Sequence, residues 1–167
     1  TQYQLGGVSG SWTNYSSAFT VSSNTTVYYR YNDGTNAGSY ASKGISNIDK
    51  TIPTVSTALN SSSVTTKGFT LNVGVTDAAS GLGKIVWYYK LSSATNYTSV
   101  EEVYTALNGA TAGTKTAITK SKAFNNLTSG TYNTYVVVYD VAGNSVESPK
   151  VNVTLETVAT ASAATAT

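Results

Sequence analysis

The sequence predicts an all-β protein made of tandem antiparallel β-sandwiches, the first of them incomplete. Three observations lead there: hydroxyl residues stand where charges usually do, apolar residues recur with period two, and Gly/Asp/Asn turns divide the chain into short runs. Of 167 residues, 22 are Ser and 28 are Thr, whereas charged residues make up only 11%. An average soluble domain carries about 25% charge. Thr is β-branched and fits a pleated surface better than a helix, and 13 Tyr push the same way.

In chain order, short strands are expected near residues 3–5, 19–21, 26–32 and 41–48. Clearer alternation follows. In GFTLNVGVTD, Phe69, Leu71, Val73 and Val75 share one face. In KIVWYYKL, Ile85, Trp87, Tyr89 and Leu91 alternate with Val86, Tyr88 and Lys90. TYNTYVVVYD sets Tyr132, Thr134, Val136 and Val138 against Tyr135, Val137 and Tyr139. SPKVNVTLE alternates Val151, Val153 and Leu155. Trp87 is expected to fill the core. One segment departs from period two. TSVEEVYTALNG puts Val100, Val103, Tyr104 and Leu107 at helical spacing, with Ser99 three residues before Glu102 as a capping box and Gly109 as a stop. It predicts a short helix over about 99–107, covering one open end of the second sandwich. The stretch 157–167 is Ala/Thr-rich without an apolar period and is expected to be a linker or disordered tail.

An internal comparison places a domain join. TVYYRYND (26–33) and TYVVVYD (134–140) both end in Asp before a turn, and each is followed by one more strand. The first then reaches KTIPT and the second TVAT. A partial module is therefore expected over 1–50 and a complete sandwich over 51–156. Pro53 lacks an N–H and biases Ile52 to an extended conformation, which suits a stiff joint within NIDKTIPTVS.

Absences bound the chemistry. The chain has no Cys, Met or His, so disulfides, thiol nucleophiles and sites that require histidine are excluded. Ten basic residues give a net charge of +2. They are scattered, with only a loose group over 115–122, and do not form the convergent patch that nucleic acid needs. No run of eighteen apolar residues offers a membrane-spanning helix. The opening TQYQLGG reads as mid-strand, so the chain is expected to be a fragment or processed product of something longer.

The order of motifs resembles Ig-like and fibronectin type III-like repeats of bacterial surface proteins and phage appendages. NNLTSGTYNTYVVVYDVAGNS is similar to the end of such a repeat, through Leu127, Gly130, Thr131 and Tyr132, then Asp140, Ala142, Gly143 and Asn144. VTDAASGLGKIVWYYK resembles its early turn, carried by Asp77, Ser80 and Gly81. NIDKTIPTVS resembles an inter-repeat joint. GGVSGSWTNYSSAFTVSSNTTVYYRYND resembles the second half of a repeat, with Trp12, Tyr15 and Phe19. The first module departs from the pattern, having YNDGTNAGS where the Ala-Gly-Asn turn belongs. Tyr132 fits a tyrosine corner, its hydroxyl bonding backbone at the sandwich end.

The resemblance implies an extracellular, non-catalytic spacer or stalk whose partners are neighbouring repeats of the same chain. Two alternatives stay open: an adhesin-type module that binds glycan or a host protein, and an accessory domain of a secreted polysaccharide-active enzyme. No catalytic residue is expected, since the acids fall in turns or at a helix start, where carboxylates serve the backbone. No cofactor is required. Calcium would be held by Asp77 and Asp140 if their loops meet at one pole of the sandwich. With Tyr132 facing the core, Val86, Tyr88, Tyr135 and Tyr139 would form an outward face for a ligand, or would simply pack across strands.

Overall fold

The computed structural model describes residues 1–103 and 113–157. The chain is all-β and divides into two compact units, Thr1–Lys50 and Thr51–Thr167. The first unit is one four-stranded antiparallel sheet of β1 (Gln2–Leu5), β2 (Thr13–Asn14), β3 (Thr25–Asn32) and β4 (Ala37–Ile45), in the order β2-β1-β3-β4. The stretch 19–21, expected as a strand, is irregular. Phe19 instead lies flat on Tyr3, ring centroids 4.1 Å apart, and the two-residue β2 takes the sheet edge.

In the second unit, β5 (Thr54–Ser62), β6 (Phe69–Thr76) and β9 (Ile118–Phe124) form a three-stranded sheet in the order β5-β6-β9. β7 (Leu82–Leu91), β8 (Thr98–Val103), β10 (Gly130–Asp140), β11 (Ser145–Glu147) and β12 (Val151–Leu155) form the other sheet. There β10 pairs with β7, β11 and β12, and β7 pairs with β8. Every pairing is antiparallel.

These two sheets close over a single core. Phe69, Leu71, Val73 and Val75 come from β6, Ile85 and Trp87 from β7, Tyr132, Val136 and Val138 from β10, and Val153 and Leu155 from β12. Trp87 is 0% exposed. The pleat turns every second residue of β10 inward, so Thr134 is buried with the apolar residues, and its hydroxyl donates to the Val151 carbonyl at 2.8 Å. Each large side chain removed from water in this way contributes about 1.5–3 kcal/mol. At one end, the Tyr132 hydroxyl donates to the Thr128 carbonyl at 3.0 Å.

The short helix expected over 99–107 is not observed. Residues 98–103 are β8, which pairs along β7 with Trp87 opposite Val100; Tyr104 and Leu107 lie outside the described residues, as does the tail from 158. The cause is a set of long-range contacts. Glu102 accepts the Trp87 indole N–H at 3.0 Å and pairs with Lys122 of the opposite sheet at 2.9 Å. Both contacts need Glu102 on the inner side of a strand. A ladder along β7 together with two charge-assisted bonds outweighs a capping box worth about 1 kcal/mol.

Candidate functional site

Two places in the second unit collect the residues singled out from sequence. The first is a pole of the sandwich. Directly after β6, Asp77 folds its carboxylate over its own turn, and its Oδ1 accepts N–H groups of Ala79 at 3.1 Å and Gly81 at 2.7 Å. Gly81 has φ +84°, and a Cβ there would run into the backbone of Gly113. Only glycine therefore lets the turn close so tightly. At the end of β10, Asp140 does the same for the following turn. Its Oδ1 accepts the Asn144 backbone N–H and its Oδ2 the Asn144 side-chain amide, each at 2.7 Å. Gly143, at φ +95°, makes that turn possible.

Backbone contacts stitch the two turns together. Val141 N–H donates to the Gly81 carbonyl at 2.9 Å, and Ala142 N–H to the Ser80 hydroxyl at 3.3 Å. Asp77 and Asp140 consequently meet. The two residues are only 3% and 4% exposed, and a carboxylate oxygen of one lies within 4.8 Å of one on the other. Asp77 Oδ2 is sealed from solvent and has no hydrogen-bond partner. Each turn was legible by itself; their meeting depends on the strand order.

The second place is the outer face of the five-stranded sheet. Tyr88 and Tyr135 sit opposite each other on β7 and β10. Their rings stack at 4.5 Å with an interplanar angle of 2°. Tyr97, which sequence reasoning did not single out, stands edge-on to both, 4.9 Å from Tyr135 and 6.4 Å from Tyr88. Lysines cover the rings: Lys150 at 5.5 Å from Tyr135, Lys90 at 5.1 Å from Tyr97 and Lys84 at 4.9 Å from Tyr139. Lys90 could have been placed here from its period-two spacing to Tyr88. Val86, two residues before Tyr88 on β7 and opposite Val137 of β10, is buried.

Electrostatics at this face follow from the packing. Burial raises the Tyr135 phenol above its ordinary value, and the nearby charge of Glu147 adds to the shift. Lys84 donates to Glu101 at 2.8 Å, and that bond raises its ammonium above the ordinary value despite some desolvation. The face is a network of mutually packed rings and charges.

No protein-family model matches this chain, and no curated protein matches it in sequence. Among the described residues, no helix is long and apolar enough to cross a membrane.

Proposed function

We propose that this chain is a non-catalytic spacer from an array of Ig-like or fibronectin type III-like sandwiches, displayed outside a bacterial cell or on a virion. The observation that carries this reading is the core of the second unit, closed by two sheets around a fully buried Trp87. A spacer has to stay folded and short-jointed, and the features of this unit serve stability. The tight turns, the hydroxyl of Tyr132 bonded to Thr128, and the Glu102 bridge between sheets all do so. Strand order adds support, since three strands faced by a sheet built on β7 and β10 is the antiparallel arrangement of that class.

A second reading rests on one observation. The Tyr88, Tyr97 and Tyr135 cluster, flanked by Lys90 and Lys150, offers aromatic faces of the kind that stack on sugar rings, which favours an adhesin that binds glycan or a host protein. A glycan array and a pull-down with host surface proteins separate the two. The spacer reading expects no saturable binding. Saturable binding that disappears on Tyr88→Ser, Tyr135→Ser and Tyr139→Ser combined would move the assignment to the adhesin.

A further inference from the structure

Asp77 follows β6 of the three-stranded sheet and Asp140 ends β10 of the five-stranded sheet, so their meeting point joins the ends of the two layers. We propose that this pole is a calcium site, in which Asp77 Oδ2 and the Asp140 carboxylate hold one Ca²⁺ between the sheets.

Three features of the pole lead to the ion. The first is repulsion. Two carboxylates excluded from water and within 4.8 Å of one another repel strongly in a medium of low dielectric. Neighbours in their own turns donate hydrogen bonds to Asp77 Oδ1 and to both oxygens of Asp140. The second is an unfilled acceptor. Asp77 Oδ2 is buried with no donor, an arrangement that native structures avoid unless something else binds the atom. Asp140 also has capacity to spare, because each of its oxygens accepts one bond and keeps a second lone pair. The third is reach. Calcium binds oxygens at about 2.3–2.6 Å, so one ion contacts two oxygens that lie within 4.8 Å of each other.

Donor chemistry selects the metal. The metal-binding groups the two acids offer are carboxylate oxygens, and the chain contains neither His nor Cys, which disfavours zinc and copper. Magnesium demands a near-ideal octahedron and sheds water reluctantly, whereas calcium tolerates irregular sets of carboxylates, carbonyls and water. Two protein carboxylates match a weak site, with affinity of about 10⁻⁴–10⁻³ M. The bound ion would replace the repulsion with a link between β6 and β10, stiffening this end of the sandwich. This assignment does not depend on the spacer reading.

Calcium titrated into the full chain tests it, by calorimetry and by thermal unfolding with calcium or chelator. One ion per chain is expected to bind, and saturating calcium should raise the melting temperature by several degrees, reversibly on chelation, because the ion binds only the folded state. Asp77→Asn keeps the Oδ1 acceptor for Ala79 and Gly81 and removes one of the two charges. It should weaken calcium binding at least tenfold and abolish the thermal response, while melting no lower than chelated wild type. Asp140→Asn should behave alike. No heat and no shift in wild type up to about 10 mM calcium, ten times the weakest affinity expected, would overturn the site. So would undiminished binding in both variants, and an equal response to magnesium would overturn the choice of metal. The wild-type titration decides the matter even if either variant fails to fold.

Discussion

β3 and β4 of the first unit contain four tyrosines, and β7 and β10 of the second contain five. Aromatic content and strand length therefore do not distinguish the units. Their burial does. None of the residues of Thr1–Lys50 is buried, and Tyr31 is 67% exposed and Tyr40 54%. Among the described residues of the second unit, ten large apolar side chains, Trp87 and the core valines included, are essentially excluded from water. The first unit is a single sheet and the second has two facing sheets. Alternation gives a strand an apolar face, but only an opposing layer turns that face into a core, and most of the stabilisation comes from that step.

The sharpest way to break this comparison is a matched pair of tryptophan substitutions. Trp87→Ala removes a fully buried side chain and also leaves Glu102 without its indole donor; it should cost about 3–5 kcal/mol in chemical denaturation. Trp12→Ala removes a ring that packs at the surface against Arg30 and Tyr40, and should cost under about 1 kcal/mol. Similar losses at the two positions would show that the units are not as different as their burial indicates.

Smaller effects follow from pH, with opposite signs in the two units. The Tyr135 phenol is raised above its ordinary value of 10.0 by burial. Its contribution is therefore complete below that value and lost as pH rises through the folded one. Lys84, raised by its bond to Glu101, changes in the same direction. In the first unit, the Asp33 carboxylate accepts N–H groups of Asn36 and Thr35 at 2.7 and 2.8 Å, which holds it below its ordinary value of 3.8. Its contribution is present above 3.8 and disappears as pH falls through the folded value. NMR titration of the two groups, alongside unfolding at acid and alkaline pH, checks both directions. A Tyr135 phenol that titrates at or below 10.0 would contradict the packing described for the outer face.

What was legible in the sequence tracks the range of the interactions. The faces of β6, β7 and β10, the burial of Trp87 and the turns at Asp77, Asp140 and Gly143 follow from neighbours two to four residues apart. Period-two patterns and turn chemistry report on just that range. The helix expected over 99–107 failed for the opposite reason. Ser99 and Glu102 carry a local helix signal, but the partners of Glu102 are Trp87 and Lys122, fifteen and twenty residues away. Phe19 likewise packs on Tyr3 from outside the sheet, a contact that no local pattern encodes. The approach of Asp77 to Asp140 and the place of Tyr97 beside Tyr88 and Tyr135 also depend on which strands become neighbours.

Native-state hydrogen exchange on the intact chain addresses the difference between the units most directly. Amides of Leu71, Val73, Trp87, Val136 and Val138, in strands whose inner face is covered by the facing sheet, should exchange only through global unfolding of the second unit. Those in the ladders of β1, β3 and β4 should exchange faster by at least about two orders of magnitude, through local opening of a unit that consists of one sheet. Equal protection in the two sets would mean that something other than the facing sheets holds this protein together.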